Sequence, residues 1–233
     1  MTSEIPAIVG WTKTSFIDYP GRPAALLFLP GCNLRCPYCH NPGVVNGEHA
    51  EIPFDVIKDH IVKRKNVIEG AVISGGEPTL HPGLADLCGV LKTFGLKVKI
   101  DTNGLEPDAL IDCRPDYLAV DVKTAPEKYR LLNSPYSERE CRERLSKSVN
   151  IVKSMGKDAE IRITVAPGIV GGGDMERLRD ELRGVSKVFI QRFNPNRPML
   201  DPAYSLIAPY GEDETESMRA VFSDAGIDCK IRD

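Results

Sequence analysis

A chain of 233 residues can bury one sizeable hydrophobic core, and its length allows one large domain or two small ones. Its formal net charge of -3, with 42% hydrophobic and 27% charged residues, gives no reason to expect nucleic acid or an anionic membrane as a partner. No apolar run approaches the roughly 20 residues that span a bilayer, and the start MTSEIPAIVGWTK lacks a signal-peptide pattern. We therefore expect a soluble, cytoplasmic protein.

Apolar, β-branched runs alternate with amphipathic helical segments along the chain. Six such runs lie at residues 24–31, 70–78, 96–104, 116–123, 159–168 and 187–195. Runs of this kind, separated by helices, predict parallel strands that are buried on both faces. Six units are too few for a closed eight-stranded barrel of about 250 residues, so we predict an α/β fold with a partial (β/α)6 TIM-like barrel. A doubly wound sheet is the alternative, because sequence does not determine strand order.

The segments between the runs carry helix start and stop signals. Residues 137–156 open with a capping-box pattern, Ser137 with Glu140, and close at Gly156. Helices are also predicted over residues 81–95, 174–184 and 213–226, each of which ends at a glycine. No linker-like or low-complexity stretch interrupts the pattern. We predict one domain over residues 1–233, with a lead-in at 1–23 and a C-terminal cap at about 205–233.

The six runs lead into polar segments that carry more charge than turns require. Five runs end in SGGEP, DTNG, DVK, APG or QRFNP, and the first runs into a cysteine-rich loop. In a parallel sheet these segments lie at the carboxyl edge, where α/β folds bind ligands. Turn formation explains the glycines but explains the charged residues poorly, and these are Glu77, Asp101, Asp121, Lys123 and Arg192. We expect a binding site at this edge.

Seven cysteines are present, an odd number in a chain without an export signal, so reduced thiols are expected. Four are scattered and are expected to be small buried apolar residues: Cys88, Cys113, Cys141 and Cys229. The other three lie in the cysteine loop, residues 31–42, which reads GCNLRCPYCHNP.

The spacing of the loop cysteines, Cys32, Cys36 and Cys39, is C-x3-C-x2-C. Three thiolates can hold three irons of a [4Fe-4S] cluster and leave the fourth iron open to a small molecule. A zinc site is the alternative, and it would need His40 or a distant cysteine as a fourth ligand. The spacing favours iron-sulfur, because the C-x2-C pair typical of zinc sites is not repeated.

This motif, with Tyr38 before its last cysteine and GGEP at residues 75–78, resembles the radical S-adenosylmethionine (radical SAM) superfamily. The resemblance extends from the cysteine loop to about Pro195. Within the superfamily, SFIDYPGRPAALLFLPGCNLRCPYCHNP is similar to the activating enzymes of glycyl radical enzymes. It is most similar to the activating proteins of anaerobic ribonucleoside-triphosphate reductase.

The resemblance implies an anaerobic oxidoreductase in which a [4Fe-4S] cluster on Cys32, Cys36 and Cys39 cleaves S-adenosylmethionine reductively. The resulting 5'-deoxyadenosyl radical would take a hydrogen atom from a glycine Cα of a partner enzyme, expected to be anaerobic ribonucleoside-triphosphate reductase. A flavodoxin- or ferredoxin-type protein would donate the electron. A single cluster is expected, because no cysteine lies between Cys39 and Gly75, where some activating enzymes carry further clusters.

The resemblance also implies which residues bind the cofactor. Gly75, Gly76 and Glu77 match the site for the amino group of its methionine end, and Arg162 matches a strand arginine that contacts the same end, with an ion pair as the alternative. Tyr38 is expected against the adenine or ribose. The remaining cofactor-binding positions are Thr102, Asn103, Asp121, Lys123 and Gln191.

Two carboxylates at neighbouring strand ends repel each other unless a cation compensates. We therefore expect Asp101, Thr102 and Asp121 to help hold a monovalent cation, Na+ or K+, beside the cofactor carboxylate, with Lys123 adding positive charge. A salt bridge between neighbouring strands is the alternative.

Two other functions fit the same motifs. A radical SAM enzyme that acts on a small molecule, such as 7-carboxy-7-deazaguanine synthase, shares the compact partial barrel. A zinc-binding interaction module would use the cysteines structurally. The short chain has little beyond the sheet to cover a small substrate, which favours a protein substrate.

Overall fold

The computed structural model describes residues 5–232. Its strands are β1 Gly10–Ser15, β2 Ala24–Leu29, β3 Gly70–Gly75, β4 Lys97–Thr102, β5 Tyr117–Asp121, β6 Ala159–Val165, β7 Lys187–Arg192 and β8 Asp228–Arg232. Its α-helices are α1 Pro42–Asn46, α2 Phe54–Lys63, α3 Leu84–Thr93, α4 Pro107–Cys113, α5 Glu138–Met155, α6 Gly172–Glu181 and α7 Glu212–Ser223. The sheet orders its strands as the sequence does, from β1 to β8.

The chain forms two compact units. Among the described residues, the first comprises residues 5–33, 43–102 and 106–118, and the second comprises residues 34–42, 103–105 and 119–232. Residues 1–4 of the predicted lead-in and residue 233 of the predicted cap lie outside the described residues. The single domain over residues 1–233 stays a prediction.

In the first unit, β2, β3 and β4 are parallel, with Ala24 opposite Gly70 and Gly70 opposite Lys97. The strand β2, AALLFL, is almost entirely buried, as expected of a strand covered on both faces. Helix α3 turns its apolar side inward, where Leu84, Leu87, Cys88 and Leu91 are buried at helical spacing.

In the second unit, β6, β7 and β8 are parallel, with Ile161 opposite Val188 and Val188 opposite Cys229. Helix α5 begins with the predicted capping box: the Ser137 side chain accepts from the Glu140 N–H, and the Glu140 carboxylate accepts from the Ser137 N–H. The helix ends at Gly156, whose φ of 58° suits glycine.

The predicted α/β class with parallel strands is confirmed, and each of the six predicted runs contains one of the strands β2 to β7. The doubly wound alternative is wrong, because the strands follow the order of the sequence without a reversal. Strand β1, which pairs antiparallel with β2, was not predicted. Its sequence, GWTKTS, is mostly polar and half-exposed, so it lacks the apolar pattern of a buried strand.

The four scattered cysteines are buried free thiols, as predicted. No helix in the described part of the chain combines the length and the apolar character needed to cross a membrane.

Candidate active site

The GGE turn, residues 75–77, lies against the start of the cysteine loop in the first unit. The Gly76 N–H donates to the Leu29 carbonyl at 2.9 Å, and the Glu77 N–H donates to the Gly31 carbonyl at 2.8 Å. A Cβ on Gly76 would lie 1.7 Å from the Gly31 oxygen, and Gly75 has a φ of +123°. Only glycines allow this close approach of two backbones.

The carboxylate of Glu77 is buried, with 1% of the residue exposed. Its Oε1 accepts from the Thr79 N–H at 3.1 Å, from the Thr79 hydroxyl, and from the Thr102 hydroxyl at 2.7 Å. A buried carboxylate requires such donors. The structure therefore brings together Glu77 and Thr102, two of the predicted cofactor-binding residues, at the ends of β3 and β4.

Asp101, a predicted cation ligand, pairs with Lys99. The Lys99 Nζ lies 2.8 Å from Asp101 Oδ1, and the two side chains are only 3% and 12% exposed. Lys99 was not predicted to belong to the site, although a lysine inside the buried run KVKID, two residues before Asp101, was a usable signal.

In the second unit, backbone contacts hold the rest of the cysteine loop. The Cys39 N–H donates to the Cys36 carbonyl at 3.0 Å, which makes a turn. The Leu200 N–H donates to the Cys39 carbonyl and the Asp201 N–H to the Pro37 carbonyl, both at 3.0 Å. A segment after β7 thus holds the loop at Cys39, a predicted cluster ligand, and at Pro37.

His40 was weighed as a zinc ligand. Its Nε2 lies 3.1 Å from the Asn194 carbonyl oxygen. Burial lowers the pKa of its imidazole, although the Asn194 carbonyl opposes that effect. The contact suits a residue that shapes the loop.

Asp121, at the end of β5, pairs with two cationic side chains. The guanidinium of Arg162 on β6 donates to both of its oxygens, and the Lys123 Nζ lies 3.4 Å from Oδ2. Burial would raise the pKa of Asp121, but the charges of Arg162 and Lys123 outweigh it and lower the pKa to about 2. Asp121 is therefore an anion at neutral pH.

Two buried tyrosines hold the backbone of Lys123. Its N–H donates to the Tyr129 hydroxyl at 3.1 Å, and the Tyr38 hydroxyl donates to its carbonyl at 3.5 Å. Burial raises the pKa of both tyrosines, so both stay neutral. Tyr129 was missed, because a tyrosine in an irregular segment carries no pattern that distinguishes it from a core residue.

The side chain of Lys123 is largely buried and pairs with Asp121. Burial would lower the pKa of its ammonium group, but the negative charge of Asp121 raises that pKa above the ordinary value. Lys123 is therefore a cation at neutral pH.

Two other predicted cofactor-binding residues, Asn103 and Gln191, make ordinary structural contacts. The Asn103 side chain is buried, and its Oδ1 accepts from the Leu105 N–H at 3.0 Å, so it shapes the turn after β4. Gln191 lies on β7 opposite Thr164 of β6 and is half-buried.

The residues fit the cofactors that the resemblance implies. All three loop cysteines carry thiol groups outside any disulfide, and cysteine thiolates are the donors that iron-sulfur clusters take. The glycines of the GGE turn keep side chains away from the backbone beside Gly31. Within residues 5–232, no three His, Cys, Asp or Glu side chains are grouped so as to hold a single metal ion.

Comparisons with known proteins point to one family. The family model described as "Radical SAM superfamily" matches residues 26–180. A candidate glycyl-radical enzyme activating enzyme of Methanocaldococcus jannaschii is 31% identical over 194 residues, which are 81% of this chain and 80% of that protein. The 7-carboxy-7-deazaguanine synthase of Aquifex aeolicus is 33% identical over 84 residues, 36% of this chain and 37% of that protein.

A solved structure supports the same fold. The crystal structure of Streptococcus suis SuiB bound to S-adenosylmethionine has a TM-score of 0.63 and 15% identity, covering 89% of this chain and 52% of that one. At this identity the likeness shows the fold alone. The family match spans well over half of the chain, and the archaeal relative is similar over most of its length. The chain belongs to the radical SAM superfamily.

Proposed function

We propose that this protein activates a glycyl radical enzyme: it cleaves S-adenosylmethionine reductively at a [4Fe-4S] cluster and generates a glycyl radical on a partner enzyme. The observation that carries the proposal is the likeness, over four-fifths of the chain, to a candidate glycyl-radical enzyme activating enzyme. The cysteine loop and the two sets of polar side chains at the strand ends support it.

Cys32, Cys36 and Cys39 would hold the cluster. When bound, the cluster supplies an electron and S-adenosylmethionine supplies the 5'-deoxyadenosyl radical. The chain's own part is to hold the loop, through the backbone contacts to Cys39 and Pro37.

The methionine end of the cofactor is a zwitterion, so it needs acceptors for an ammonium group and donors for a carboxylate. Glu77 would supply the acceptor, and the backbone of Gly75 and Gly76 permits close approach. Arg162 and Lys123 would supply the donors, both oriented by Asp121. Tyr38 would offer its ring to the adenine or ribose. The other cofactor-binding residues proposed are Thr102, Asn103, Asp121 and Gln191.

The partner and the electron donor are part of the proposal. We propose anaerobic ribonucleoside-triphosphate reductase as the protein substrate and a flavodoxin- or ferredoxin-type protein as the donor. A Na+ or K+ ion at Asp101, Thr102 and Asp121 stays a prediction. The alternative is that cationic side chains pair with these carboxylates. Arg162 of β6 pairs with Asp121 of β5, which supports the alternative of a salt bridge between neighbouring strands. Lys99 pairs with Asp101 within β4.

A second candidate is a small-molecule enzyme related to 7-carboxy-7-deazaguanine synthase. The partial likeness to the Aquifex enzyme favours it. Such an enzyme would turn over a pterin-like metabolite without any protein partner.

The test is anaerobic. The protein is reconstituted with iron and sulfide, reduced with dithionite and given S-adenosylmethionine, with and without anaerobic ribonucleoside-triphosphate reductase. The 5'-deoxyadenosine is quantified by chromatography, and a glycyl radical is sought by electron paramagnetic resonance. Cys36→Ala is the test variant and Cys88→Ala, a buried cysteine of α3, is the matched control.

We expect the parent and Cys88→Ala to form 5'-deoxyadenosine and the glycyl radical, and Cys36→Ala to form neither. No product from a protein with a fully occupied cluster would contradict the enzyme assignment. Turnover of a pterin-like metabolite without a glycyl radical would instead support the small-molecule alternative. A colourless protein that binds zinc and no sulfide would support the interaction module.

A further inference from the structure

Lys99 is a buried lysine in the middle of β4. Only 2% of the residue is exposed, and its neighbours Val98 and Ile100 are fully buried. An ammonium group in such a position is unfavourable unless anions and acceptors surround it. A lysine is therefore unexpected here on packing grounds, and its contacts show what stabilises it.

Two oxygen atoms contact the ammonium group of Lys99. Its Nζ lies 2.8 Å from Asp101 Oδ1 and donates to the Asp18 carbonyl at 2.6 Å. The Tyr117 ring adds a weaker cation–π contact, with its centroid 5.9 Å from Nζ. Residues two apart on a strand share a face, so β4 itself brings Lys99 and Asp101 together.

The neighbouring Thr102 hydroxyl is oriented by Glu77. The Thr102 hydroxyl donates to Glu77 Oε1 at 2.7 Å. An alkali metal ion at Asp101 Oδ1 would have to displace an ammonium group that is attached to the same strand. A tethered cation competes at a high effective concentration, so a free Na+ or K+ is at a disadvantage.

We propose that Lys99 is a positioning residue and the permanent counter-ion of Asp101, so that the enzyme needs neither Na+ nor K+ at the end of β4. The ammonium group holds the Asp101 carboxylate at the end of β4. The next residue in the chain, Thr102, is proposed to bind S-adenosylmethionine. It also ties Asp101 to the loop between β1 and β2 through the Asp18 carbonyl. The expected effect on cofactor binding rests on the proposed function. The ion pair, and the dependence of the thermal midpoint on the salt, do not.

The first experiment measures the thermal midpoint of the cluster-free full chain in NaCl, KCl and tetramethylammonium chloride at equal ionic strength. The variants are Lys99→Met, Asp101→Asn and the double variant. Lys97→Met is the matched control, because Lys97 lies on the same strand and pairs with Asp116 at 2.7 Å on the surface. If Lys99→Met fails to fold, the double variant, which has no buried charge at either position, is compared with the parent and Asp101→Asn.

We expect the parent and Lys97→Met to have the same midpoint in the three salts. Lys99→Met should melt several degrees lower, and adding Asp101→Asn should recover part of that loss, because the unpaired carboxylate is then removed. A parent midpoint that rises with Na+ or K+ would overturn the proposal. The proposal would also be overturned if the changes in thermal midpoint caused by Lys99→Met and by Asp101→Asn simply added in the double variant.

The second experiment separates positioning from stability. With the reconstituted enzyme, the KM for S-adenosylmethionine should rise about tenfold in Lys99→Met, the size expected when a charge-assisted contact is lost. Lys97→Met should leave KM unchanged, and the parent rate should be equal in the three salts. An unchanged KM in Lys99→Met would mean that Lys99 only stabilises the fold. If neither the parent nor any variant cleaves the cofactor, the proposed function is wrong. The thermal midpoints still test whether Lys99 and Asp101 form the proposed ion pair.

Discussion

The guanidinium of Arg162 holds the carboxylate of Asp121 through two parallel hydrogen bonds, 2.8 Å from Nε to Oδ1 and 3.0 Å from Nη2 to Oδ2. Their side chains are 13% and 19% exposed. Bidentate pairs of this kind are among the strongest polar contacts in proteins. Because Lys123 contacts the same carboxylate, Asp121 orients both cations that are proposed to face the cofactor carboxylate.

Replacing Arg162 should be costly. Arg162→Met leaves Asp121 largely buried with Lys123 as its remaining cation, and breaking such a pair costs about 3 kcal/mol in the free energy of unfolding. Urea unfolding measures the loss. Arg139→Met is the control, because Arg139 is 87% exposed and pairs only along helix α5, so no measurable change is expected. Equal effects of the two substitutions would contradict the importance of the pair.

The same pair predicts a pH dependence. The pKa of Asp121 is lowered from its ordinary value of 3.8 to about 2 in the folded chain. The stabilisation is therefore complete above the unfolded-state pKa and is lost as the pH falls through the folded-state pKa, amounting to about 2 kcal/mol. Urea unfolding of the parent and of Asp121→Asn between about pH 5 and pH 2 isolates this contribution, since other acidic groups titrate in both proteins. A constant difference between the two proteins across this range would show that the prediction is wrong.

Removing the Tyr129 hydroxyl tests its contact with Lys123. Tyr129→Phe keeps the buried ring but leaves the Lys123 N–H without that acceptor, at a cost of about 1–3 kcal/mol in the free energy of unfolding. Because Lys123 is proposed to bind the cofactor, the KM for S-adenosylmethionine should also rise. Tyr204→Phe is the control, since its hydroxyl donates to the Pro167 carbonyl at 3.3 Å. A KM that rises equally in both variants would argue against a specific role of Tyr129.

The GGE turn makes a steric prediction. In Gly76→Ala the new Cβ overlaps the Gly31 carbonyl oxygen, so β3 or the start of the cysteine loop must move. We expect a lower thermal midpoint and less iron per chain after reconstitution, because Gly31 adjoins Cys32.

Gly89→Ala provides the matched control for that substitution. Gly89 lies on the exposed side of α3, and its new Cβ would meet no atom within 4 Å. Alanine in a helix interior should raise the free energy of unfolding by roughly 0.5–1 kcal/mol. Full iron content and an unchanged midpoint in Gly76→Ala would contradict the overlap.

The positions of the strands could be predicted because buried parallel strands are continuous apolar runs. The run at residues 24–31 contains β2, and the run at 187–195 contains β7. Strand β1 could not be predicted in the same way, since GWTKTS is defined by its hydrogen bonds to β2 rather than by its own apolar pattern. The capping box of Ser137 and Glu140 was predictable because it is local.

The candidate site was predictable in its residue types and only partly in its contacts. The cysteine spacing, the GGE turn and the charged strand ends are short motifs, and their chemistry follows from residues that are neighbours in the chain. The ion pair of Lys99 with Asp101, a residue predicted to help hold a monovalent cation, became visible only in the structure.

The sequence by itself determined the α/β class with parallel strands, the three-cysteine motif and the family, because each depends on local patterns. Only the tertiary structure decided which charges and hydroxyls meet: Arg162 with Asp121, 41 residues apart, and Tyr129 with the backbone of Lys123. The physical reason is that several acids and bases of this chain could form pairs of similar energy. Burial selects among them, because a charge or an N–H group taken out of water must find its partner in the surrounding fold.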